Sequence, residues 1–183
     1  GGTFSSGMDL KDFSQTRKRA LVEGKGFGGL NEAPPKKPLI AAVEGFALAG
    51  GFEMMLACDL VVAANNAKFG LPEVKRGLVA GSGGLLRLPR QIPYHIAMEV
   101  ILTGDMFSAE RANQFGLINV LTEPGQALAE ATGREQAAAA RHRGALLVDE
   151  VDHADRPLGP RLLQDHPFRR PAGHRAARRA ERP

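Results

Sequence analysis

The 183-residue sequence has no tryptophan, one tyrosine and one cysteine, and aromatic residues make up only 5% of it. A single thiol, Cys58, excludes an intrachain disulfide and leads to the expectation of a reducing, cytoplasmic setting. Long apolar runs are missing too. Leu39–Val43 and Leu60–Ala64 are the longest uncharged ones, far shorter than a bilayer-spanning helix requires, so no membrane partner is expected. The opening Gly1-Gly2-Thr3-Phe4 lacks the charged and apolar regions of a secretory signal. No His/Cys cluster with ligand spacing stands out, and no metal is expected.

Charge of one sign is scarce where it would matter. The net charge is +4, yet residues 1–132 carry 13 Lys and Arg against 13 Asp and Glu, whereas residues 133–183 carry 11 against 7. The whole excess sits in the last stretch, and no basic stripe with interleaved aromatics precedes it. That argues against a nucleic-acid partner. What is present is an apolar share of 43% in a chain long enough to bury a substantial core.

The chain reads as two regions, 1–132 and 133–183. In the first, turn residues, caps and apolar periodicity agree with one another. Leu39-Ile40-Ala41-Ala42-Val43 and Leu60-Val61-Val62-Ala63 read as buried strands, Gly45–Gly51 as a turn of small residues, and Phe52–Cys58 as a helix. Lys68-Phe69-Gly70 reads as a short extended segment and Pro93–Leu102 as a helix. Ser108 is the expected N-cap of a helix over Ala109–Phe115, with Gly116 as its stop and Leu117–Leu121 strand-like. Alternation of strands and helices predicts an α/β fold. The second region has 11 Arg and no Lys, five Pro, and four of the five His: His142, His153, His166 and His174. These histidines lack ligand spacing. Two readings stand for this tail: a disordered basic segment, or the product of a GC-rich gene read out of frame.

Three motifs carry chemistry. Phe4-Ser5-Ser6-Gly7-Met8-Asp9-Leu10 is either a surface turn or a turn whose amides face an anion. In Gly45-Phe46-Ala47-Leu48-Ala49-Gly50-Gly51-Phe52-Glu53 a buried strand feeds a Gly-Gly turn that opens a helix. Its early amides lack intrahelical partners, and glycines let a ligand approach closely. Glu53 either complements the helix dipole or faces that ligand. Phe69-Gly70-Leu71-Pro72-Glu73 puts a second carboxylate on a stiff loop before Gly81-Ser82-Gly83-Gly84, which lacks the ending and spacing of a phosphate-binding P-loop. Two amide sites and two carboxylates within 75 residues suit polarisation of a carbonyl and proton movement at the adjoining carbons.

Those motifs, together with Cys58-Asp59-Leu60-Val61-Val62-Ala63, Leu102-Thr103-Gly104-Asp105 and Ser108-Ala109-Glu110-Arg111-Ala112, resemble the enoyl-CoA hydratase/isomerase (crotonase) family in order and spacing across about Gly1–Leu121. The resemblance implies a crotonase-like spiral ββα core, N-terminally incomplete, with an atypical tail in place of the family's C-terminal helices. It also implies an oxyanion hole made by the amides of Met8 and Gly50. Glu53 would deprotonate water at C3 and Glu73 would exchange the proton at C2, while Ser6, Gly7, Met8, Asp9 and Leu10 would lie along the CoA. Met8 is bulkier than the small residue often found there. The implied reaction is hydration of trans-2-enoyl-CoA in fatty-acid β-oxidation, with no cofactor beyond the CoA of the substrate and with homotrimer or hexamer assembly. A Δ3-Δ2 enoyl-CoA isomerase and a non-catalytic fragment are the alternatives.

Overall fold

The computed structural model describes residues 2–18, 20–142 and 146–148. Its elements run in chain order as α1 (Leu10–Thr16), β1 (Leu21–Val22), β2 (Gly26–Phe27), β3 (Leu39–Val43), β4 (Phe46–Leu48), α2 (Gly50–Met55), β5 (Leu60–Ala64) and β6 (Lys68–Gly70). A 3-10 turn (Pro72–Arg76) follows, then α3 (Gly84–Gln91), α4 (Tyr94–Thr103), β7 (Phe107–Ser108), α5 (Ala109–Gln114), β8 (Val120–Thr122), α6 (Ala127–His142) and β9 (Leu146–Val148). No helix among the described residues is long and apolar enough to cross a membrane.

Two sheets share the chain. One is a parallel sheet in the order β8-β5-β3-β9; the other has the order β4-β6-β7, with β4 and β6 parallel and β7 antiparallel. The pairs β3/β4 and β5/β6 each contribute one strand to each sheet, so the backbone winds from sheet to sheet and a helix carries it onward. This is the α/β spiral expected from the sequence. Every residue of β3 is buried, because the sheet is covered on both faces. Leu39, Ala41 and Val43 face the main core, while Ile40 and Ala42 pack with Val62 against Ala127 and Ala131 of α6. Burial on both faces explains why these strands read as unbroken apolar runs without alternation.

Within the main core Phe52 of α2, Phe69 of β6 and Phe107 of β7 form a cluster with ring centroids 5.8–6.0 Å apart. It ties the short helix α2 to the second sheet.

Several segments differ from expectation. Gly45–Gly51 is not one turn. Gly45 alone turns, at φ 62, and Phe46–Leu48 pairs with β6 as β4. Small residues hid a strand there because Ala47 sits at 0% exposure, where no bulk is accommodated. Helix α2 begins two residues earlier than predicted. Strand β8 begins only at Val120, since the Leu117 amide still donates to Ala112 and closes α5. Helix α5 ends at Gln114, one residue short of the expected Phe115, but its cap and stop hold: the Ser108 hydroxyl accepts from the Arg111 amide at 3.2 Å, and Gly116 has φ 77. Helix α6 runs across position 132/133, and β9 pairs with β3 in parallel register. Alanine-rich sequence such as Ala137–Ala140 is a strong helix former despite its weak amphipathicity. The remainder of the 133–183 region, with His153, His166 and His174, lies outside the described residues.

The phenylalanine cluster generates a stability prediction. Phe69→Ala is expected to lower unfolding free energy by about 3–5 kcal/mol in urea titrations. A loss under about 1 kcal/mol would show that the three rings do not act as a packed unit.

Candidate active site

The site is built where the N-terminal segment meets the turn before α2. Ser5 joins β4 through a parallel bridge to Ala47: its amide donates to Phe46 at 3.0 Å and its carbonyl accepts from Leu48 at 2.9 Å. The next residues leave the sheet through Gly7 at φ 84, a left-handed conformation that favours glycine. A Cβ at Gly7 would sit 2.8 Å from the Gly50 nitrogen and 3.0 Å from the Ala49 Cβ. A Cβ at Gly51 would overlap the Ser5 carbonyl oxygen. Glycine at both positions lets the two turns touch. The amides of Met8 and Gly50 donate to no acceptor among the described residues.

Ala49 carries strain. At φ 50, ψ −128 it occupies a region that glycine normally fills, and its amide is fixed by the Gly70 carbonyl at 3.0 Å. Such a conformation costs of order 1–3 kcal/mol and persists only where surrounding contacts enforce it. Here it aims the following amide, that of Gly50, out of the helix.

Glu53 lies one turn further along α2 and is 2% exposed. Its Oε1 accepts from the Ser82 amide at 2.7 Å and the Gly84 amide at 2.9 Å. Burial raises its pKa; the bonds from Gly84 and Ser82 and the nearby Arg87 charge oppose that rise. Glu73 sits in the 3-10 turn after β6. Burial, with a smaller contribution from the Glu53 charge, pushes its pKa up to about 7, and its buried Oε2 has no hydrogen-bond donor among the described residues. Both features favour a protonated carboxyl.

A cavity of about 590 Å³ joins these groups. Of the residues singled out in the sequence, Ser6, Met8, Leu10, Gly50, Glu53 and Glu73 line it. Gly7 and Asp9 do not. Gly7 serves the turn-to-turn contact, and Asp9 caps α1, its Oδ1 accepting from the Lys11 and Asp12 amides. The apolar wall of Phe27, Leu21, Leu78 and Val79, and the charged residues Glu32 and Arg76 that also line the cavity, were not singled out from the sequence. Nor was the role of the Gly81–Gly84 turn, in which the Ser82 and Gly84 amides hold a carboxylate of the protein itself. A glycine-rich turn ahead of a helix was the available signal; the distance in sequence from Glu53 concealed the pairing.

The chain matches the sequence model of the enoyl-CoA hydratase/isomerase family over residues 1–157. It is 44% identical over 134 residues to the mevalonyl-coenzyme A hydratase of Aspergillus fumigatus, covering 72% of this chain and 50% of that protein. It is 48% identical over 118 residues to the carnitinyl-CoA dehydratase of Salmonella enteritidis, covering 63% and 45%. Among solved structures, the enoyl-CoA hydratase of Mycobacterium tuberculosis superposes with a TM-score of 0.74 at 60% identity, covering 77% of this chain and 55% of that one. The chain thus spans about half the length of the relatives it matches.

The raised Glu73 pKa predicts a pH-dependent stability. The folded chain holds this proton up to about pH 7, whereas an ordinary glutamate releases it near 4.5, so the folded state loses stability as pH rises through that window. Glu73→Gln removes the effect. After allowance for solvent around the half-buried side chain, the variant is expected to gain about 1–2 kcal/mol over the parent at alkaline pH and little below pH 4.5. Urea titrations at both ends of the range test this; a gain independent of pH would contradict it.

Proposed function

Since the chain belongs to the enoyl-CoA hydratase/isomerase family, we propose that its cavity binds a trans-2-enoyl-CoA thioester, of the kind formed in fatty-acid β-oxidation, and catalyses reversible addition of water across the 2,3 double bond. The observation that carries this reading is that one cavity is lined by Met8 and Gly50, whose amides meet no acceptor among the described residues, and by the buried Glu53 and the half-buried Glu73, both with raised pKa.

The roles follow from the chemistry. The amides of Met8 and Gly50 donate to the thioester oxygen, and those bonds strengthen as negative charge builds there in the enolate. Glu53, kept ionisable by two amide donors, takes a proton from water as its oxygen attacks C3. Glu73, with a pKa near 7, is protonated often enough at neutral pH to deliver the proton to C2. The apolar wall formed by Phe27, Leu78 and Val79 suits an acyl chain or the pantetheine arm. No cofactor is required beyond the CoA the substrate brings.

The test is hydration of crotonyl-CoA by the purified 183-residue chain, followed as loss of the conjugated thioester absorbance with identification of 3-hydroxybutyryl-CoA. Glu53→Gln and Glu73→Gln are each expected to lower kcat by about 10²–10⁴-fold. Gly7→Ala, which crowds the Gly50 nitrogen, is expected to lower it by about 10²–10³-fold, the effect of losing one oxyanion donor. Turnover indistinguishable from that of the glutamate variants would remove the hydratase reading. Conversion of a 3-enoyl-CoA without net hydration would replace it with an isomerase.

A further inference from the structure

Behind Glu53 lies a second layer that does not reach the cavity wall. Asn31, in the loop after β2, is 2% exposed, and its Nδ2 donates to the Ser82 carbonyl at 2.9 Å. Arg87 of α3 spreads its guanidinium between two carbonyls, donating to Ser82 at 3.3 Å and to Asn31 at 2.5 Å. The guanidinium also lies where a Cβ on Gly83 would be, and Gly83 has φ 112. The Ser82 residue is therefore clamped from both sides. Its carbonyl takes two donors, and its amide points at the Glu53 carboxylate.

The cost of this arrangement is visible at Asn31. Its Oδ1 is buried with no donor among the described residues. A buried amide with one end unpaired is unfavourable, and an apolar side chain of similar shape would pack there at less cost. Flipping the amide would set its oxygen against the Ser82 carbonyl, so the orientation is fixed by that single bond. Packing gives no reason for an amide here, and the Ser82 bond does.

We propose that Asn31 and Arg87 are positioning residues for Glu53: they lock the Gly81–Gly84 turn so that the Ser82 and Gly84 amides meet Oε1 of that glutamate in one geometry. The consequence for rate rests on the hydratase reading above; the consequence for the carboxyl group does not. The two amide bonds favour the ionised form against burial, so loosening the turn moves Glu53 towards higher proton affinity. Other charges face the same carboxylate, namely Arg87 from α3 and Glu73 from the 3-10 turn, and Glu32 and Arg76 line the shared cavity. Asn31→Ala leaves every one of them in place, so a shift in that variant travels through the turn.

The experiment is carboxyl-carbon NMR titration of the glutamate-labelled 183-residue chain, with Glu53→Gln assigning the resonance, beside the pH profile of crotonyl-CoA hydration. In Asn31→Ala the Glu53 titration and the acid limb of kcat are expected to move to higher pH. The kcat value should fall about 10–100-fold, with KM little changed. An unmoved Glu53 titration in folded Asn31→Ala overturns the proposal. Should that variant fail to fold, Arg87→Lys decides: it keeps the charge, loses the two-carbonyl fork, and must show the same upward movement. A shifted titration in a chain with no hydratase activity supports the positioning role and removes the hydratase reading instead.

Discussion

The contact between two glycine turns is the constraint on which the rest of the site depends. Ser5 is stitched to β4, Gly7 leaves the sheet at once, and its missing side chain makes room for the Gly50 nitrogen. Gly51 makes the matching concession to the Ser5 carbonyl. Each turn is fixed by contacts outside itself. The N-terminal one is held by β4, and the second by the strained Ala49, whose amide is tied to Gly70 of β6. The phenylalanine cluster beneath α2 then fixes where Glu53 emerges relative to both. Sheet pairing, a left-handed glycine and aromatic packing thus converge on the placement of a few polar atoms.

The two glutamates solve opposite problems with the same side chain. Both lose solvation through burial, which favours the neutral acid. Glu53 is given two amide donors and an arginine nearby, which support a charge. Glu73 has none at its buried oxygen among the described residues and faces another carboxylate. The surroundings of the two carboxyl groups thus differ in the donors they offer, and the base and acid roles proposed for them make use of that difference. An unsatisfied buried oxygen is a poor choice for stability. Strain and unpaired buried polar groups are seen more often at functional sites than elsewhere, and here the carboxyl group lines the cavity to which the reaction is assigned as a proposal.

The sequence made the α/β class, the strands Leu39–Val43 and Leu60–Ala64 and the Ser108 cap legible, because each rests on local signals: apolar runs, a capping hydroxyl, a glycine stop. Glu53, Glu73, Met8 and Gly50 were legible through the motifs around them, and they do line one cavity. What stayed hidden depends on partners distant in the chain. β4 looks like a turn until β6 arrives beside it, and β9 is short enough to need β3 to define it. Asn31 and the Ser82 amide have no local signature; their importance comes from a contact spanning 51 residues and another spanning 29. The compositional break near residue 133 concealed the continuity of α6, since alanine and arginine signal a change in codon usage as readily as they build a helix.

In the proposed reaction the Met8 and Gly50 amides polarise a single thioester oxygen. The most direct measurement is an isotope-edited infrared spectrum of carbonyl-labelled crotonyl-CoA bound to Glu53→Gln, in which turnover is suppressed. The thioester C=O band is expected to move to lower frequency on binding, and adding Gly7→Ala is expected to abolish that displacement. A bound band at its free-solution frequency would contradict it.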